Sequence, residues 1–339
     1  MRITFLVGNG FDLNCGLHTQ YSDFYKYFIE KHPQNTIACE IADNPENWAD
    51  LELSIGKYIE KVSGENRETF LNDLAELEEE LRDYLQSENQ RIVIGNEIGG
   101  EFHDKVVCFF DGMRPVDKAD IANLRRSTTN SFQYTFVTFN YTDVLDQIVE
   151  KIKKSGTFDK RTVNGRTILD DLEPVLHVHG TLSDALVLGL NDESQICNEQ
   201  LKDDLTLHET IVKPKVNELL GESRTDKVKH FIDESRYVCV FGLSLGETDK
   251  IWWEYIGQWL QRDQNHRLVL FVLEKTPSRT IAMQEILRKR KWQELFLKKA
   301  GIEKAGIENE NVKNRIIIIE NSGIFTMENV KLKVLEPIK

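Results

Sequence analysis

The chain has 339 residues, 40% of them hydrophobic and 29% charged, with a formal net charge of −13. That content supports a sizeable core and excludes wholesale disorder. The acidic balance argues against nucleic-acid or anionic-membrane binding as the main task, because both need basic surface.

Residues 3–7 (ITFLV) are apolar and rich in β-branched residues, and they break into Gly8-Asn9-Gly10-Phe11-Asp12. This is how a buried parallel strand reads when it delivers its C-terminal end to a tight turn. Gly8 and Gly10 allow a sharp turn or a close backbone approach. A glycine turn at a strand's carboxyl end, with amides aimed outward, suits a phosphate. A plain strand-to-helix turn that needs glycine only for geometry fits equally well. Leu13 stands where G-x-G-x-x-G requires its third glycine, so a dehydrogenase is not indicated.

Only a few apolar residues follow Arg2, so the N-terminus does not read as a signal peptide. No stretch approaches the roughly 18 apolar residues of a membrane helix. Cys15, Cys39, Cys108, Cys197 and Cys239 are far apart and form no C-x-x-C pair. Buried single thiols in a reducing cytoplasm are expected, with no zinc site and no disulfides.

Tyr21–Lys31 carries aromatics at helical spacing, and residues 44–47 form a turn. A helix starts at Trp48-Ala49-Asp50-Leu51-Glu52 and runs to about Val62. Glu68–Gln86 is a second, acidic on one face and leucine-lined on the other; residues 99–112 and 117–126 continue the pattern. Residues 20–130 therefore read as a helical insertion after the first strand. A strand over 134–139 ends in Asn140-Tyr141-Thr142, and a helix spans 144–154. Residues 155–173 read as polar and turn-rich. Residues 175–182 form a short strand ending in His179-Gly180, with 186–189 as its partner strand. Helices over 206–220 and 226–233 precede a strand over 237–241, which breaks into Gly242-Leu243-Ser244-Leu245-Gly246. A helix over 249–260, a strand over 268–273, a helix over 279–299 and a strand over 315–320 complete the pattern. The expected fold is a three-layer α/β sandwich with a mostly parallel sheet, in a single domain over 1–339.

Glycines and polar residues sit at each strand exit, where an open α/β sheet gathers its ligand groups. An amide, an imidazole and two glycine turns without a metal cluster form an inventory for N-glycosidic chemistry on a nucleotide. His177 reads as a core residue. Asn140 reads as a helix N-cap, a ligand contact, or both. Asp50 and Glu52, two apart on a helix, diverge and cannot act as a paired acid and base.

GNGFDLNCGLHTQYSDF, NWADLE, TFNYTDVLD, LHVHGTL and VFGLSLGETDKIWW occur in this order. Together they resemble the bacteriophage abortive infection AbiH family, which is itself similar to the sirtuin-like NAD-binding fold. The resemblance implies a Rossmann-like core, a role in phage defence and NAD⁺ as ligand or substrate. It implies that Gly8, Asn9, Gly10, Phe11 and Asp12 hold the dinucleotide, although Phe11 and Asp12 depart from the sirtuin small-residue pattern. Asn140 would contact the nicotinamide ribose, and His179 would be the catalytic base. Gly242, Ser244 and Asp249 would form a late turn beside the cofactor. The zinc-binding C-x-x-C pairs of deacetylating sirtuins are absent, which favours NAD⁺ cleavage by water. The alternative is a non-catalytic nucleotide sensor. An enzyme that empties NAD⁺ needs gating, by homo-oligomerisation or a phage-derived activator, with residues 20–130 as candidate lid.

Overall fold

The computed structural model describes residues 1–154, 156–184, 186–198, 201–221, 223–274, 282–302 and 307–333. Its strands are β1 (Arg2–Val7), β2 (Ile92–Ile94), β3 (Gln133–Thr138), β4 (Asp159–Val163), β5 (Arg166–Leu172), β6 (Leu176–His177), β7 (Ser235–Phe241), β8 (Arg267–Val272), β9 (Ile316–Glu320) and β10 (Val330–Leu332). The main sheet runs β4-β5-β3-β1-β7-β8-β9, with β6 continuing the edge beside β3. Every pairing in it is parallel except β4 with β5. β1 is central and buried along its whole length. Phe5 is in register with Phe136 on one side and Cys239 on the other. A strand covered on both faces needs apolar residues at every position, which is why β1 reads as a run rather than an alternation.

Alternate residues face opposite layers. Phe5, Phe136 and Cys239 pack with Ile98, Phe102 and Ile148 from helices Ile98–Val107 and Val144–Lys153. Leu6, Val238 and Leu268 pack on the other face with Trp253 and Phe296, from helices Lys250–Arg262 and Ala282–Lys299. A third cluster stands apart from both faces. Helices Tyr21–Lys31, Thr36–Asp43, Leu51–Tyr58 and Arg67–Asn89 build it, together with Leu188, Leu190 and helix Leu205–Ile211. It forms a helical cap beside the first glycine turn. Among the described residues, no helix is long and apolar enough to cross a membrane.

Several sequence expectations need correction. Residues 159–172 form a β-hairpin, not a polar loop. Its turn is Asn164-Gly165, with φ of 49° and 76°. Both central residues are left-handed, as the tight hairpin turn requires. Residues 186–189 are not a strand. Val187 N–H donates to the His179 carbonyl at 2.9 Å, and Leu190 then bridges to Val212. Gly189 sits at φ 150°, where a Cβ would lie 2.1 Å from the Ile211 carbonyl oxygen. Helix 206–220 is two helices, Leu205–Ile211 and Lys213–Leu219, separated by extended Val212. Pro214 explains the break, since in a continuous helix it would have no N–H for the Thr210 carbonyl and its ring would clash with that carbonyl. The helix expected over 279–299 is described from Ala282; residues 279–281 lie outside the described residues. Within 20–130, Ile92–Ile94 pairs antiparallel with β10.

Candidate functional site

The exits of β1, β3, β6 and β7 lie side by side because β1 is flanked by β3 and β7, and β6 by β3. The two glycine turns close on each other. Gly8 N–H donates to the Phe241 carbonyl and Gly10 N–H to the Gly242 carbonyl, both at 2.9 Å. A Cβ on Gly10 would lie 2.5 Å from Gly242 Cα, and Gly242 itself has φ 69°. The glycines are thus required where one backbone crosses another. Phe11 N–H donates to the Gly8 carbonyl. Amides already paired in this way have no hydrogen left for a phosphate. The Phe11 ring is fully buried against Phe325, 5.5 Å away edge to face, so it packs into the core rather than facing a ligand. The Asn9 side chain is tied to Thr19, through its backbone carbonyl and its hydroxyl.

Asn140 and Asp12 meet beneath this turn. Asn140 Nδ2 donates to the Gly8 carbonyl at 3.2 Å, and Thr142 Oγ1 donates to Asp12 Oδ2 at 2.6 Å. Asp143 occupies the N-cap position of helix Val144–Lys153, so Asn140 does not cap it. Asp12 is 2% exposed, and its Oδ1 has no partner. Burial lifts its carboxyl to about 6, against the pull of Thr142 and Asn140. His177 is satisfied on both sides: Nδ1 donates to the Asn140 carbonyl at 2.9 Å, and Nε2 meets Asp146 at 2.8 Å. It behaves as a structural residue.

His179 differs. It follows the end of β6, is 8% exposed, and its Nδ1 has no partner. The Phe139 ring stands edge-on at 5.6 Å. Burial pushes its imidazole well below 6.5, and the charges of Lys213 and Arg224 push the same way. The ring is therefore neutral at pH 7, and the same burial and cations oppose its protonation.

Lys213 opens a further charged group. Its ammonium lies 2.5 Å from Glu52, and both side chains are almost fully buried. Burial raises the Glu52 carboxyl, and Lys213 opposes that rise. Asp249 keeps some solvent contact, but protein surrounds its carboxyl closely enough to lift it to about 7, with Lys213 opposing. Asp50 caps helix Leu51–Tyr58 through the Leu53 N–H and accepts from the Thr248 hydroxyl at 3.2 Å. This links the cap to the second glycine turn. Trp253 Nε1 donates to the Gly246 carbonyl from below, so Trp253 is an anchor.

Three cavities adjoin these groups. One of about 560 Å³ is lined by Gly10, Gly242, Ser244 and the ends of β7 and β8. One of about 100 Å³ is lined by Asn9, Asp12, Tyr21 and Asn140. The third, about 710 Å³, lies in the cap and reaches Asn9. His179 lines none of the three. The family model described as Bacteriophage abortive infection AbiH matches residues 4–271.

The chain belongs to the AbiH family. No curated protein matches it. Its role is accordingly abortive infection of bacteriophage. The matched span of this AbiH protein runs from β1 into β8 and holds both glycine turns, Asp12, Glu52, Asn140, His179, Lys213 and Asp249. Sequence reasoning missed Lys213 altogether and said of Glu52 only that it cannot pair with Asp50 as acid and base. Lys213 stands between Val212 and Pro214 in no recognisable motif, and only the fold of the chain around Leu188, Leu190 and Ile211 against the cap buries it. The one available signal was Glu52 among the apolar residues of a cap helix.

Proposed function

We propose that this AbiH protein takes NAD⁺ at the C-terminal edge of its sheet and, once activated, hydrolyses it to nicotinamide and ADP-ribose. The observation that carries the reading is His179: buried, neutral, with an unpartnered ring nitrogen, at the strand exit next to the Asn140 loop. In this reaction the bond between nicotinamide nitrogen and ribose C1′ breaks, and its electron pair leaves with nicotinamide. Water adds to C1′, and its proton passes to His179. Asn140 orients a ribose hydroxyl. The cavity beside Gly10, Gly242 and Ser244 supports the reading, since about 560 Å³ falls within the range of ligand pockets.

The cavity at Asn140 is too small for a ribosyl group with its base, at about 100 Å³. The cap, on this reading, is a lid that opens on activation, by a change of assembly or by a phage-derived component. A second reading, a nucleotide sensor without turnover, is favoured by one feature: His179 lines none of the three cavities. The test is nicotinamide release from NAD⁺ by wild type, His179→Ala and Asn140→Ala, in cells with and without phage. Release in phage-challenged cells that both substitutions abolish is expected. Release unchanged by His179→Ala refutes the assignment. Calorimetric NAD⁺ binding without release selects the sensor.

A further inference from the structure

The cavity in the cap has a volume of about 710 Å³. Tyr21, Tyr25 and Trp48 form its aromatic wall, and Asn9 closes its inner end. The Tyr21 and Tyr25 rings are stacked, with centroids 6.3 Å apart and planes 15° apart. Trp48 stands edge-on to Tyr25 at 6.5 Å and 84°. Tyr25 is 7% exposed, yet its hydroxyl has no hydrogen-bond partner. A buried hydroxyl in that state is unfavourable unless something in the cavity completes it.

The local charge is negative. Ala49 lines the cavity and Asp50 follows it in the chain. Asp50 bears on the Tyr25 hydroxyl, and Glu52 and Asp50 on that of Tyr21, each holding it further in its neutral form. Lys26 also lines the cavity, but it is exposed and paired with Asp23 at 3.1 Å. Aromatic faces beside the Asp50 carboxylate favour a planar cation over a neutral ring, while Glu52 adds little because Lys213 at 2.5 Å offsets its charge. The cavity also adjoins the site. Asn9 and Tyr21 line both it and the small cavity that contains Asp12 and Asn140.

The geometry points to this cleft as a binding site for a planar, positively charged heteroaromatic ring. Resting on the reading proposed above, that ring is the pyridinium end of NAD⁺, entering through the cap with its ribose directed toward Asn140. The cap is then a part of substrate recognition as well as a cover.

The test uses the full chain and two probes of nearly equal shape, the cation 1-methylnicotinamide and neutral nicotinamide, in isothermal titration calorimetry. The cation should bind about tenfold more tightly than the neutral ring. Asp50→Asn keeps a good helix N-cap and removes the charge, so it should reduce that preference severalfold. Tyr25→Phe should weaken both probes. Equal affinities for the two probes, no binding of either, or affinities unchanged in both variants overturn the inference. The wild-type contrast stands even if a variant fails to fold. The outcome is separable from turnover: selective cation binding without nicotinamide release removes the hydrolase and leaves this site. His179-dependent release without cation selectivity does the reverse.

Discussion

Asp12→Asn isolates the cost of one buried charge. Asp12 is 2% exposed, and only one of its two oxygens is hydrogen-bonded. Its carboxyl rises from the ordinary 3.8 to about 6 because burial disfavours the ionised form. The folded value lies above the unfolded one. The protonated carboxyl's contribution is therefore fully present below the unfolded pKa and is lost as pH rises through about 6. A rise of that size costs the ionised folded state about 3 kcal/mol in all. Roughly half, about 1.5 kcal/mol, is lost between pH 5 and pH 8, and the rest at lower pH. Asparagine keeps an acceptor for the Thr142 hydroxyl and carries no charge at either pH. The assay is urea denaturation of wild type and variant at pH 5 and pH 8. The stability of the variant relative to wild type should improve by about 1.5 kcal/mol on going to pH 8. A stability difference identical at the two pH values, or one that moves against the variant at pH 8, refutes the reasoning.

Glu52→Gln leaves Lys213 buried without its counter-charge and should destabilise the fold by about 3–5 kcal/mol. Adding Lys213→Met should recover most of that loss in thermal denaturation, and a double variant no better than the single contradicts the buried pair. Gly242→Ala places a Cβ 2.7 Å from Gly10 Cα at φ 69°. A loss of at least ~2 kcal/mol is expected from strain and clash together, read from the urea midpoint. His179 has a folded pKa well below 6.5, so its neutral form persists as pH falls through that value. Nicotinamide release by the activated protein should stay level from pH 8 to about 6.5, the pH at which an ordinary histidine is half protonated. A rate halved near that pH contradicts a buried neutral base.

Much of the fold was legible because its signals are local. The continuous apolar runs of β1, β7 and β9, each broken by glycine or asparagine, identify buried parallel strands without any partner in view. The helical spacing in Tyr21–Lys31 and Arg67–Asn89 marked two helices of the cap. The Asn164-Gly165 turn was equally local and was passed over because its flanking strands are polar, as befits a hairpin on the sheet's edge.

The candidate site was legible only in part, and the reason is distance along the chain. Residue types at strand exits put Asn140, His179 and the two glycine turns in one region, since parallel strands deliver their carboxyl ends to the same edge. Sequence alone could not say what each would touch there. The spacing of Gly8 and Gly10 is compatible with a phosphate cradle or with a backbone crossing. Gly242, more than 200 residues later, decides it by occupying that space. His177 and His179 share a strand-like spacing. The Asn140 carbonyl and Asp146 satisfy the first and leave the second unpartnered. Glu52 and Lys213, 161 residues apart, become a buried pair only when the cap closes against the chain around Leu188, Leu190 and Ile211. Periodicity and propensity act over a few residues and are written in the chain. Burial, charge pairing and the openness of a cavity are set by which distant surfaces meet, and the tertiary structure alone decided them.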